Sequence, residues 1–540
     1  MRALHRLLSR FRRDQSANIA MIFALTLVPL ISAIGCAVDY SLAARMKAKL
    51  QSAADGAAVA AISQKSPGFI AASAMSGDGS VTAGVTDANK VFDGNMNQVT
   101  SGLNNLSRVS TVTKTGIKLT SLVTFSADVP VTFMKVVGFQ KLTVTGNSSA
   151  SASLPPYLDF YLTLDVSGSM GLPSTTTEAA RLQFLNPDNY KQYPTGCTLA
   201  CHFTQQNGAC TDSGTQGYPT NGYCLGYAIS RVSPSAFANK LVLQSPQGTY
   251  PYINKDQNNV NHTTLVYNKY YQLPSTITSP TSLYAAVPPV ANCPTPGTDN
   301  CIQLRLDAVG YAVNQLFITA NSSMKVTNQF RIGLYPFITT LYDTYFPLTS
   351  SINGSSTNSS TINYAAANLA SLLDTNQNSN LGSGGTHIDA ALDKLNKTVI
   401  TSVGDGSTST NTQPYVFLVT DGAQDPQQKG VPNGSWSGSN HATTLDLQNT
   451  LTTVPTCEAL KKRGIIVSVL YIPYQVINPV NTSFAGDEDD YANWNIPYIQ
   501  KSLEKCASPG FFYTANTPAD ITASLNAMFN HALITAHITN

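Results

Sequence analysis

A chain of 540 residues is too long for one hydrophobic core and implies about three domains. Only 11% of residues are charged, the formal net charge is +2, and no basic stripe stands outside the N-terminus, which excludes nucleic-acid binding. A polar but weakly charged composition fits an extracytoplasmic protein better than a cytosolic enzyme.

Arg2, Arg6, Arg10, Arg12 and Arg13 form a basic tail over residues 1–16, followed by an uncharged run from Ala17 to Val38. As a helix that run spans about 33 Å, enough for the hydrocarbon core of a bilayer. It is longer than the apolar core of a signal peptide. A single-pass anchor is therefore expected, with the N-terminus cytoplasmic. This puts the protein in the inner membrane and its C-terminal bulk in the periplasm or on the cell surface. Ala33-Ile34-Gly35-Cys36 is a poor lipoprotein signal, because an aliphatic residue is expected where Ala33 stands. Good helix formers without Gly or Pro continue from Asp39 until Gly56, so the helix should extend beyond the membrane, over about residues 39–65.

The run Arg-Arg-Asp-Gln-Ser-Ala-Asn-Ile-Ala at 12–20, with Val38-Asp39-Tyr40 and Leu50-Gln51-x-Ala-Ala-Asp55, resembles the N-terminal segment of TadG-like proteins of the tight-adherence (Tad, Flp-type) pilus machinery. The likeness covers roughly residues 8–62 and implies a role among pilus-assembly components. Pilin-like relatives are cut by a prepilin peptidase, but the Glu expected after such a cut is absent here, so that processing is not expected.

Residues 66–155 read as a pilin-like, β-rich stalk. Weak helical periodicity around Ala88 to Val99 precedes alternating stretches such as Val109-Ser110-Thr111-Val112 and Leu142-Thr143-Val144-Thr145. The expected role is a spacer between membrane and head.

From 156 to 540 strands alternate with helices. The strands are expected at Tyr157 to Leu164, Arg331 to Phe337, Pro414 to Thr420, Ile465 to Ile472 and Phe511 to Thr514. Helices are expected at 302–318, 361–373, 388–400, 443–463, 493–506 and 518–533. Such alternation predicts an α/β, doubly wound, mostly parallel sheet covered on both faces.

Three segments of this head carry oxygen donors at strand ends or loops. Asp165-Val166-Ser167-Gly168-Ser169 follows the first strand, Gly384-Gly385-Thr386 precedes an amphipathic helix, and Thr420-Asp421-Gly422 follows a third strand. If the strands run parallel, all three meet at the carboxyl edge, where ligands bind in open α/β sheets. Asp165, Ser167, Ser169, Thr386 and Asp421 would offer a hard cation such as Mg²⁺ part of an octahedral oxygen shell. The alternative is that Asp165 and the serines only cap a turn.

In order and context the three segments resemble the metal-ion-dependent adhesion site of von Willebrand factor A (vWA) domains. That resemblance implies a vWA-type fold over 157–180 and 300–535, and Mg²⁺ or another divalent cation such as Ca²⁺ or Mn²⁺. It also implies a protein ligand that approaches through an acidic residue, and a last helix, about 518–533, that can shift on ligation. His387, Met170 and Gln424 are candidates for the rim.

The departure from that family lies at about 171–300, a Cys- and Tyr-rich insertion holding eleven of the 25 tyrosines, from Tyr190 to Tyr284. It could cover the site, extend the binding surface, or be an inert decoration. Cys36 lies in the apolar run, while the other eight cysteines are downstream, an even number that suits disulfides in an oxidising compartment. Cys293 is expected to pair with Cys301, and Cys457 with Cys506. Cys197, Cys201, Cys210 and Cys224 stay open among three connectivities, and Cys197-x-x-x-Cys201-His202 with Cys210 has an alternative zinc reading. Asp487-Glu488-Asp489-Asp490 reads as a solvated loop without a full Ca²⁺ pattern. No Gly-x-Ser-x-Gly, His-Glu-x-x-His or phosphate-cradling loop occurs, so no catalysis is expected. The competing functional reading is a structural envelope or pilus scaffold whose metal loop only stabilises the fold.

Overall fold

The computed structural model describes residues 15–97, 102–172, 174–176, 303–374, 378–430, 436–437, 441–474, 476 and 488–538. The arginines of the basic tail, residues 177–302 with six cysteines and eleven tyrosines, and Asp487 lie outside them. The chain forms two compact units that meet in sequence between Pro155 and Pro156.

The first unit begins with helix α1 (Gln15–Ala60). Its first half is apolar all round and exposed at Ile22, Phe23, Leu25, Val28, Ile31 and Ile34. The helix is long and apolar enough to cross a membrane. Its second half narrows to a buried stripe of Ala43, Leu50, Ala54, Ala57 and Ala58, mostly small residues that let neighbouring elements approach closely. Against it pack α2 (Pro67–Ala74), α3 (Thr82–Met96) and an antiparallel sheet in the order β1 (Gly79–Ser80), β2 (Asn104–Thr115), β3 (Lys118–Pro130), β4 (Lys141–Ser153). β3 and β4 pair without interruption from Lys118↔Ser153 to Pro130↔Lys141. A 3₁₀ turn at Met134–Val137 closes that hairpin.

The second unit contains a six-stranded sheet. Its strands are β5 (Leu158–Asp165), β6 (Phe330–Phe337), β7 (Phe346–Thr349), β8 (Gln413–Thr420), β11 (Ile466–Tyr471) and β12 (Phe512–Thr514), in the spatial order β12-β11-β8-β5-β6-β7. A separate two-residue ribbon pairs β9 (Gln428–Lys429) with β10 (Trp436–Ser437). Five strands of the large sheet run parallel, and β7 closes one edge antiparallel to β6.

The helices are α4 (Arg305–Ser323), α5 (Ile362–Ala367), α6 (Ile388–Lys394), α7 (Pro455–Lys462), α8 (Glu488–Cys506) and α9 (Pro518–Ile538). Two cores cover the two faces. Phe160, Leu162 and Leu164 of β5 join α4 and α9 in one, while Tyr161 joins α6, α7 and α8 in the other. All eight residues of β5 are buried, as befits a central strand of a parallel sheet. Cys457 of α7 and Cys506 of α8 are disulfide-bonded, with Cα atoms 5.1 Å apart. That pairing agrees with the sequence expectation; Cys293 and Cys301 lie outside the described residues.

Two helix expectations need correction. Of the span 443–463 only α7 is helical, because Leu447, Gln448 and Asn449 adopt left-handed backbone with φ of 51°, 50° and 66°. The buried Asp446 carboxylate holds that loop, accepting from the Thr444 hydroxyl, the Asn449 amide and Lys505 Nζ in place of a helical ladder. The span 361–373 breaks into α5 and a 3₁₀ turn at Leu369–Leu372, where Asn368 Nδ2 donates back to the Tyr364 carbonyl at 2.9 Å.

Candidate functional site

Chain order reverses across β5. The chain leaves β5 through α4 to β6 on one side, and later crosses to β8 on the other. The crevice at the carboxyl ends of β5 and β8 is thus a topological switch point, where an open α/β sheet leaves room for a ligand. Asp165 is the last residue of β5, Thr420 is the last of β8, and Asp421 follows it.

The Asp165 turn is internally fastened. The Ser167 amide donates to Asp165 Oδ1 at 2.9 Å, and the Ser167 and Ser169 hydroxyls lie 3.3 Å apart. Across the crevice the Thr420 hydroxyl donates to Asp165 Oδ2 at 2.6 Å. Asp421 stands differently: fully buried, it has no hydrogen-bond partner on either carboxylate oxygen. Arg305 Nη1, at the start of α4, is 3.9 Å from Asp421 Oδ2 and is itself without a hydrogen bond. The buried Tyr474 hydroxyl is a third orphan near Asp421 and Ser169. Buried polar atoms are nearly always paired, so three orphans converging on one point are informative.

Burial pushes the Asp421 carboxyl up to about 7 and the Asp165 charge adds to the rise; Arg305 opposes it, as do the Ser169 hydroxyl and the Ala423 amide, which lie near the carboxylate without the geometry of a full hydrogen bond. Burial likewise raises Asp165, against the Ser167 and Thr420 hydroxyls and the Ser167 amide. The Tyr474 hydroxyl is carried well above its ordinary value by burial, with the Asp421 charge acting in the same sense.

Thr386 reaches this edge from the loop between the 3₁₀ turn at Leu369–Leu372 and α6. Asp374 holds that loop by accepting from the Ser383 hydroxyl at 2.6 Å and the Gly384 amide at 2.9 Å. Thr386 then exchanges two backbone hydrogen bonds with Asp425, four positions beyond Asp421. Gly385 permits the approach: a Cβ there would stand 1.9 Å from the Gln427 carbonyl oxygen.

Residues 17–74 match the family model described as Flp pilus-assembly TadE/G-like, a match confined to the first unit. No curated protein matches the chain significantly. Among solved structures, the pilus adhesin SpaC of Lactobacillus rhamnosus GG is 12% identical, with a TM-score of 0.30, covering 80% of this chain. The match spans only 34% of the adhesin's own length. A mutant of the PilB minor pilin of Streptococcus sanguinis is 11% identical, covering 81% of each chain, with a TM-score of 0.29. The vWF domain of the type V pili tip protein Mfa5 of Porphyromonas gingivalis is 12% identical, covering 43% of this chain and 89% of its own, with a TM-score of 0.26.

The expected rim fares unevenly. Met170 is fully buried in the core beneath the turn and cannot face a partner. Gln424 is buried too, its Oε1 accepting the Ile388 amide at 2.9 Å, so it ties the start of α6 to the strand end. His387 is half-buried, with Nε2 3.1 Å from the Gln427 carbonyl oxygen. Three contributors went unassigned in the sequence. Thr420 sits inside the Thr-Asp-Gly motif and was legible there; Arg305 and Tyr474 carry no local pattern that marks them.

The donor set fits a small hard cation. Asp421 presents two oxygens beside a second buried carboxylate and near the Ser169 and Tyr474 hydroxyls, and the one cation beside it, Arg305, stops at 3.9 Å. Among the described residues no cluster of three or more His, Cys, Asp or Glu side chains could hold a metal. An ion here would therefore depend on hydroxyl oxygens for much of its shell.

Proposed function

We propose that this chain is a membrane-anchored, extracytoplasmic protein of Flp/Tad pilus assembly or adhesion, with a vWA-type head that binds a partner protein in a metal-dependent manner. Asp165, Ser167, Ser169, Thr386 and Asp421 would hold Mg²⁺, or Ca²⁺ or Mn²⁺ in its place. The observation that carries this reading is Asp421: a fully buried carboxylate with both oxygens unpaired at a switch point of the sheet. The TadE/G-like match over 17–74 supports the pilus context, and the apolar half of α1 supports the anchor, which we place in the inner membrane.

When bound, the metal supplies a coordination position for an acidic side chain of the partner. The protein's part is placement. Asp165 is fixed by the Thr420 hydroxyl and the Ser167 amide. The neutral hydroxyls of Ser167, Ser169 and Thr386 add oxygens without cancelling the cation's charge, and low local polarity strengthens the contact with a partner carboxylate. We assign the site no catalytic role.

The burial of all five side chains, each 1% exposed or less, favours a second reading in which the ion only stabilises a scaffold. The two separate by experiment. Mg²⁺ should raise the melting temperature of the detergent-solubilised full chain, and Asp165→Ala should abolish that rise. Pilus components that co-purify with the wild type should be released by a chelator and be absent from the Asp165→Ala preparation. Co-purification unchanged by either treatment leaves the scaffold reading standing and removes the adhesive one.

A further inference from the structure

The hairpin tip between β3 and β4 carries a group of exposed apolar side chains that the stalk does not use. Phe133, Val136, Val137 and Phe139 are 43%, 74%, 50% and 55% exposed. A tip that projected into water would be expected to be polar. This one is instead seated on α1: a Cβ added at Gly35 would stand 2.4 Å from Phe133 Cβ, so the ring lies directly on the glycine backbone. One turn further along α1, the buried Asp39 carboxylate receives the amides of Thr132, Phe133 and Met134 at 2.7–3.2 Å. Gly35 lies inside the uncharged run 17–38, about 6 Å to the apolar side of Asp39 along the helix axis.

The backbone of the tip is also prepared to leave water. Beyond the three amides held by Asp39, the Val136, Gly138 and Phe139 amides donate to the Phe133, Lys135 and Met134 carbonyls, each at 3.1 Å. Non-helical backbone at membrane depth requires such internal pairing. Lys135 on the tip has a long stem that can carry its ammonium group outward to headgroups. Exposed Tyr40 stands beside Asp39, in the position of an interfacial aromatic.

Resting on the reading of residues 17–38 as the membrane anchor, we infer that the 132–140 tip is a second membrane contact, dipping into the extracytoplasmic interface of the same bilayer. The lipid is the occupant because the seat of the tip is itself within the apolar helix run. One helix leaves tilt and rotation free; a helix with a side wedge latched to it by Asp39 fixes the orientation of the stalk's first turn at the surface.

The test uses the full chain with Cys36→Ser, reconstituted into phosphatidylcholine/phosphatidylglycerol vesicles. An environment-sensitive dye is attached in turn through V137C, L25C and S149C. Quenching by bromine on the lipid acyl chains is compared with quenching by aqueous iodide. The dye at 137 should be quenched by brominated lipid, as at 25, and be about threefold or more less accessible to iodide than the dye at 149. Adding Gly35→Leu, which removes the seat of Phe133, should return the dye at 137 to iodide while leaving that at 25 in lipid. If the dye at 137 matches 149 while 25 stays lipid-quenched, the wedge is wrong and the anchor stands. If 25 also escapes the lipid, the anchor reading fails and takes the wedge with it.

Discussion

Two carboxylates on β5, Asp159 and Asp165, stand six positions apart and occupy opposite ends of one strand. Each receives a hydroxyl from the neighbouring β8 segment: Thr412, just before the strand, donates to Asp159 Oδ2 at 2.5 Å and Thr420, its last residue, to Asp165 Oδ2 at 2.6 Å. At the amino end the account closes. Arg331 reaches Asp159 with two parallel bonds, Nε at 2.7 Å and Nη2 at 2.6 Å, and Nη2 also donates to the Thr412 hydroxyl at 3.1 Å. At the carboxyl end no such fork arrives. Asp421 adds a second negative group instead, and its nearest cation, Arg305, stops at 3.9 Å. Similar local chemistry thus serves structure at one end and leaves an electrostatic demand at the other.

Breaking the satisfied end should cost most. Asp159→Ala strands the Arg331 guanidinium and should lower the stability of the head by about 3 kcal/mol, at the low end for a buried pair because Arg331 is part exposed. The loss should be the same with or without Mg²⁺, as read from the midpoint of urea unfolding. Asp421→Asn should do the reverse. Without metal its stability should be unchanged or higher, since a buried repulsion disappears. The stabilisation expected from Mg²⁺ at the proposed site in the wild type, about 2.7 kcal/mol at a hundredfold excess over Kd, should vanish. Equal Mg²⁺ responses in Asp421→Asn and wild type would count against the site.

The pH dependence sharpens the contrast. Asp421 is raised to about 7 in the folded protein, so between the unfolded carboxylate value near 4 and about 7 the native state holds the extra proton. Metal-free stability from this group is therefore full below about pH 4 and falls as pH rises to about 7. Metal binding must release that proton, so affinity for Mg²⁺ should climb about tenfold per pH unit up to about pH 7 and then level off. Calorimetric titration at pH 5, 6, 7 and 8 reads both the affinity and the proton release. The smallest effect should separate the two threonines. Thr412→Val and Thr420→Val each remove one hydroxyl from a buried carboxylate, at about 1–2 kcal/mol, yet only Thr420→Val should weaken Mg²⁺ binding.

Strands β5, β6, β8 and β11 were legible because continuous apolar runs end in turn signals, and a run buried on both faces reads the same from either side. β7 was not: four residues, Phe346 to Thr349, pair with β6 through an irregular register and show no alternation that marks them. The loop at 443–454 misled because Leu445, Leu447 and Leu451 mimic a helical stripe, whereas Asp446 and three left-handed residues decide the backbone. At the site, Asp165, the two serines and Asp421 stood out by motif and do meet in the fold. Arg305 and Tyr474 could not be foreseen, because orphaned polar atoms are a property of packing and leave no spacing in the sequence.

The chain passes from Pro156 straight into β5, and the candidate site sits at that strand's far end, about 26 Å away at the usual rise per residue. If the head is loaded through its ligand while the other end is tethered, tension runs along β5 itself. Its parallel neighbours β6 and β8 then resist in shear, with their ladders strained together rather than unzipped one rung at a time. Under the binding function proposed above, this connectivity would lay the load along the very strand that carries the site.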